Sequence, residues 1–147
     1  MYGYVVLNPG CATTHAPYYS LADLVVVFEH YYFDLIYPPI ESPDFRYLTN
    51  VAPNHGLKLM LPKPSRQTPA SKFGVMLHDF LPGGSHHAKL VEMRPLIHDL
   101  VQIKRVGAVF ITDVQIKNAD IYANWSSIWK EFIGMMSEAN KSSSLLF

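Results

Sequence analysis

Hydrophobic residues gather in four short, uninterrupted runs: Tyr4 to Leu7, Leu24 to Phe28, Phe73 to Leu77 and Ala108 to Ile111. Each is rich in β-branched or aromatic residues, and none alternates apolar with polar. A strand wetted on one face would alternate, so these runs predict strands covered on both faces, as parallel strands flanked by helices are. The predicted class is α/β, in the order β-α-β-α-β-α-β-α with the second connection enlarged.

The intervals carry helical signals of uneven strength. Pro17 to Ala22 leaves room for a turn or two, and His30 to Tyr37 predicts a short helix ended by Pro38-Pro39, because proline lacks the donor that continues a helix. Ile40 to Lys72 is Pro-rich and aperiodic, which predicts a long loop with some local structure. His86 to Val91 predicts one helical segment, and Pro95 the first turn of a second that sets Leu96, Leu100 and Val101 on one side before Val106-Gly107 stops it. Asn124, Ser126 and Ser127 are candidate caps for a last helix in which Ile128, Phe132 and Met136 recur every fourth residue, with Trp125 and Trp129 widening the face. Residues 137–147 read as a polar, Ser-rich tail that frays.

Composition narrows the function classes. The 147 residues suit a single domain, and with 49% hydrophobic and 16% charged residues the chain can bury a core, which excludes intrinsic disorder. Twelve basic residues balance twelve acidic ones without a basic run, so no nucleic-acid partner is expected. No apolar stretch approaches the ~20 residues a bilayer span requires, so no membrane partner is expected either. Cys11 is the single cysteine, which excludes an internal disulfide. The N-terminus lacks the basic and small-residue features of a signal peptide and opens directly on a strand, as if an upstream segment were missing.

Polar residues follow each run: Asn8, Glu29, His78-Asp79 and Thr112-Asp113. Ligands and catalytic side chains of parallel α/β sheets and barrels collect at that end of the strands, so the pattern predicts one functional rim. Glu29 leaves a buried strand, where desolvation would raise its pKa toward general-acid use; the alternative is a solvated rim glutamate. Asp113 is either a second rim carboxylate or a cap for the following turn. Two carboxylates on one rim suit glycosidic bond cleavage. Asn8-Pro9-Gly10 fits a tight turn whose Asn side chain orients the loop or a ligand hydroxyl. Tyr32 and Trp125, with Tyr18 and Tyr31, are candidates for stacking on sugar rings, or are core aromatics. His86-His87 match no ligand motif, and no metal is expected. Asn124-Trp125-Ser126 and Asn140-Lys141-Ser142 have the N-glycosylation pattern.

The succession Tyr4-Val5-Val6-Leu7-Asn8-Pro9-Gly10, Ala22-Asp23-Leu24-Val25-Val26-Val27-Phe28-Glu29 with Tyr32 following, and Val109-Phe110-Ile111-Thr112-Asp113 resembles the later strands of spherulin-4-like proteins, spherulation-specific family 4. The resemblance covers residues 1–136 and corresponds to the C-terminal half of a (β/α)8 barrel that normally takes about 250 residues. It implies a partial TIM barrel of about four parallel strands, an extracellular setting, and glycoside hydrolysis of galactosamine-containing polysaccharide, of endo-α-1,4-N-acetylgalactosaminidase type, without a cofactor. It also implies that Glu29 is a catalytic carboxylate, with Asn8, Asp113, Tyr32 and Trp125 around the substrate. The adjacent Asp-Glu pair of the family's site does not occur in these residues, so the chain by itself is expected to be incomplete and inactive. The alternative is a non-catalytic carbohydrate-binding or interaction protein that kept the rim. The Ile40 to Lys72 stretch, and Ala123-Asn124-Trp125 in place of an Asn-Pro before the last helix, depart from the family's pattern. Half a barrel leaves two sheet edges unpaired, which predicts self-association.

Overall fold

The computed structural model describes residues 3–9, 15–32, 45–48, 59–83, 85–115 and 124–144. Strands β1 (Val6–Leu7), β2 (Leu24–Tyr31), β5 (Phe73–His78) and β6 (Ala108–Ile111) form one sheet in that order, every neighbouring pair parallel. Helix α1 (Ala16–Leu21) links the first pair, and α2 (His86–His98) links β5 to β6. Helix α3 (Trp129–Ser144) follows β6. Consecutive parallel strands with helices between them are the expected segment of a (β/α)8 barrel.

A second sheet differs from the expected loop: β3 (Phe45–Leu48) and β4 (Leu59–Pro62) pair antiparallel within the 40–72 stretch. Pro62 closes β4, and neither short run alternates polarity, so the sequence carries no period to reveal the pair. Residues 40–44 and 49–58 of that stretch, with Cys11, Gly10 and the Pro38-Pro39 stop, lie outside the described residues. Where a helix was predicted from His30, β2 instead continues to Tyr31, because His30 and Tyr31 find ladder partners in Leu77 and His78.

One core joins sheet and helices. Val25, Phe28, Phe73, Val75, Leu77 and Ile111 pack in a buried cluster with Met93, Leu96, Leu100, Ile128 and Phe132 from the helices and the turns that adjoin them. The α2 segment is continuous through Pro95, where two helices were predicted. Pro95 cannot donate to the carbonyl four residues back, and the ladder widens just after it into a π-turn, Asp99–Ile103, in which Lys104 N–H donates to the Asp99 carbonyl at 2.8 Å. Gly107 then admits the chain to β6: a Cβ there would lie 2.0 Å from the Ser71 carbonyl oxygen. Helix α3 also holds where a frayed tail was predicted, to Ser144. Arg94 pairs with Glu138 at 2.6 Å, and Gln102 Nε2 donates to the Ala139 carbonyl, so α2 and the π-turn fasten the polar part of α3.

Candidate functional site

The aim of Glu29 depends on one extra residue in β2. Val25 pairs with Phe73 and Val26 with Gly74, but Phe28 pairs with Val75, so Val27 is a bulge. Strict alternation from Val25 would turn Glu29 and Tyr31 toward the helices. The bulge reverses the parity beyond it: Phe28 joins Val75 on the helix-covered face, and Glu29 stands beside Met76 on the other. Leu24 and Val26, buried but outside the main core cluster, lie on this second face as well.

Asn8 reaches the same face. Leu7 pairs with Val25, so the next residue projects to the side opposite the core, where Asn8 Nδ2 donates to Glu29 Oε2. The amide fixes a half-buried carboxylate at the C-terminal rim. Tyr31 and His78, partners across β2 and β5, extend this face one pleat further along. Their rings meet edge to face with centroids 4.7 Å apart. His78 is buried, and its Nδ1 is hydrogen-bonded to Asp79 Oδ2 at 2.7 Å. Asp79 has φ 51°, in the left-handed region that Asp tolerates better than most residues, and its N–H donates to the Val114 carbonyl. Asn8, Glu29, Tyr31, His78 and Asp79 are thus carried by three successive strands and their ends.

Asp113 does not join them. It lies two residues beyond core-facing Ile111 and turns to the helix side. There its carboxylate accepts from Lys89 Nζ at 2.6 Å, Ser126 Oγ at 2.8 Å, Ser127 N–H at 2.9 Å and Ser127 Oγ. Burial pushes this carboxyl up, but the hydrogen bonds from Lys89, Ser127 and Ser126 together outweigh it and hold the group at about 2. The capping alternative is the one realised: Asp113 ties the starts of α2 and α3 to the end of β6.

The aromatic candidates also divide. Tyr32 is 3% exposed, its ring against Phe80 at 4.6 Å, and so is a core residue rather than a sugar contact. Its neighbour Tyr31, 39% exposed, takes the place on the site face, as adjacent residues leaving a strand diverge to opposite sides. Trp125 is 82% exposed beside the Asp113 clasp, edge-on to Trp129 at 5.9 Å. Sequence reasoning also noted His78-Asp79 without assigning it a function; the adjacent carboxylate and imidazole at a strand end were the available signal.

Among the described residues no three His, Cys, Asp or Glu side chains gather as a metal site, and His86 instead approaches Glu131 at 3.5 Å. No helix among them is long and apolar enough to cross a membrane. A cleft of about 470 Å³ lined by Tyr19, Arg66 and Lys72 opens at the opposite end of the sheet. There the Lys72 ammonium donates to the carbonyls of Tyr19 and Ala22, a structural use suited to the N-terminal ends of the strands.

A family model described as Spherulation-specific family 4 matches residues 1–136. The crystal structure of Aspergillus clavatus Sph3 in complex with GalNAc is similar to this chain with a TM-score of 0.52 and 24% sequence identity. The similarity covers 90% of this chain and 42% of that one, so the chain spans less than half the length of its structural neighbour. No curated protein matches the chain. The likeness is one of fold: four parallel strands with flanking helices, in the arrangement described above.

Proposed function

The chain belongs to spherulation-specific family 4, and from that premise we propose that the rim around Glu29 is a carbohydrate site of glycoside-hydrolase type, with Glu29 its catalytic carboxylate and Asn8 the group that orients it. The observation that carries the reading is the bulge at Val27, which turns one carboxylate out of a buried strand and onto a hydrogen-bond donor at the strand's C-terminal end. Bulges beside active sites commonly re-aim a side chain in this way. The ligand we infer is a galactosamine-containing polysaccharide, in keeping with the GalNAc bound by the structurally similar Sph3, and an extracellular setting goes with such a polymer.

Glycosidic cleavage needs an acid and a second carboxylate suitably placed across the bond. Asp79 is the other carboxylate on this rim among the described residues, and it is hydrogen-bonded to His78. The sequence has no adjacent Asp-Glu pair to supply another. The chain by itself is therefore expected to bind the polymer without cutting it, which favours a binding function as the second reading for this chain. Incubation with N-acetylated and de-N-acetylated galactosaminogalactan, followed by pelleting and a reducing-end assay, separates the outcomes. Retention without release of reducing ends is the expected result. Release that Glu29→Gln reduces about a hundredfold or more would make the chain a complete hydrolase. Neither retention nor release would overturn the carbohydrate reading.

A further inference from the structure

Tyr31 lies two residues beyond Glu29 on the same face of β2, roughly 7 Å further along the strand. Three observations fix the plane of its ring. Tyr31 and His78 are register partners, so their side chains leave the sheet together. The imidazole meets the phenol ring at an interplanar angle of 65° and a centroid distance of 4.7 Å, a favourable edge-to-face contact. The imidazole is buried and is itself held, through Nδ1, by the carboxylate of Asp79 at 2.7 Å. Asp79 thus sets the histidine and the histidine sets the tyrosine, while 39% of Tyr31 remains open to solvent. An exposed aromatic braced in this manner loses little freedom when a ligand settles on it, so more of the contact energy appears as affinity.

We propose that Tyr31 is the stacking platform of a hexosamine subsite adjoining Glu29, with His78 and Asp79 as its positioning residues. The inference rests on the carbohydrate reading of this rim and adds to it the group that receives the sugar ring. A galacto-configured pyranose carries its 4-hydroxyl axially, which leaves the C–H groups at C3, C4 and C5 together on one face. That continuous apolar face matches the flat phenol, whereas the gluco epimer divides its C–H groups between both faces. The site then selects galactosamine-type residues by shape.

Saturation-transfer NMR and affinity titrations on the intact chain, with N-acetylgalactosamine and N-acetylglucosamine as probes, test this. N-acetylgalactosamine is expected to bind more tightly, with the strongest transfer to H3, H4 and H5; equal affinity for the two epimers overturns the assignment of the galacto face. Tyr31→Phe keeps the platform and affinity within about twofold, whereas Tyr31→Ala weakens binding roughly tenfold. His78→Ala weakens it less, and His78→Phe, which restores an edge-on ring, recovers most of the loss. A merely structural histidine would lower the melting temperature without changing which sugar protons receive saturation, and that result overturns its positioning function. Unchanged affinity in folded Tyr31→Ala overturns the platform while leaving the carbohydrate site standing; Tyr31→Leu answers the same question if the alanine variant does not fold. If the folded parent chain binds neither sugar, both the subsite and the reading beneath it fall.

Discussion

Asp113 shows what a single carboxylate does when every donor near it belongs to the fold. Its side chain is 8% exposed and shares Lys89 with α2 and two serines with the start of α3. Its carboxyl stands at about 2 in the folded chain against an ordinary 3.8, so the stability it contributes is fully present above 3.8 and is lost as pH falls toward 2. The size follows from the shift and is roughly 2 kcal/mol. Asp113→Asn is therefore expected to lower the unfolding free energy by about that amount at pH 7, and urea titrations of the two proteins should converge near pH 2. Equal stability at neutral pH would mean that the clasp contributes nothing net. Sugar binding is expected to survive the substitution, since the clasp faces away from Glu29. The sequence placed Asp113 correctly at a strand end but left its direction open, because two residues past a strand the side chain follows whichever donors are nearest. Tyr31 and Tyr32 illustrate the same limit: both read as rim aromatics, and strand parity alone decides which one is buried.

At the scale of elements, the four core strands were legible because burial on both faces writes itself as an unbroken apolar run. The bulge was not legible for the same reason. Val25-Val26-Val27-Phe28 is apolar throughout, so nothing in it marks the residue at which parity reverses, although that reversal gives Glu29 its direction. Pro95 reads in the sequence as the start of a second helix, but packing of Met93, Leu96 and Ile97 into the core carries α2 through the proline and displaces the irregularity into the π-turn. Asp99 sits in that turn, 3% exposed, its Oδ2 without a hydrogen-bond partner among the described residues. Burial pushes its carboxyl up, against the opposing pull of Lys104 and His98. A raised acid binds its proton more tightly when folded, so this group favours the fold at low pH, and that contribution is lost as pH rises from 3.8 through the folded value. Asp99→Asn is expected to be more stable than the parent at pH 7, with the two converging below pH 3.8. A variant less stable at pH 7 would show that the charge is needed beside Lys104. The two carboxyls act in adjoining windows, Asp113 between about 2 and 3.8 and Asp99 above 3.8, so parent and Asp99→Asn should share one acid limb below 3.8 and separate only above it.

For the molecule as a whole, the open question is what its sheet edges do. A closed barrel has none, whereas this four-stranded sheet ends at β1 on one side and β6 on the other. Beside β1 the apolar surface is extensive: Val6 is 51% exposed, with Tyr4, Val5 and Leu21 also exposed nearby. An unpaired strand supplies backbone donors and acceptors to a partner, and adjacent apolar side chains supply the area that drives association. The chain's balance of twelve basic and twelve acidic residues adds no net repulsion between copies near neutral pH. We therefore expect reversible self-association through this edge, seen in sedimentation velocity as a weight-average mass that rises with concentration. Val6→Lys sets a charge on the exposed flank, as natural edge strands often do, and should return the chain toward monomer without lowering its melting temperature by more than about 2 °C, because an exposed position contributes little to the core. If the parent stays monomeric over a hundredfold range of concentration, the edges are shielded within the monomer itself. If Val6→Lys leaves association unchanged, contact runs through β6 or the exposed Trp125 instead, and the same substitution strategy there would identify the surface.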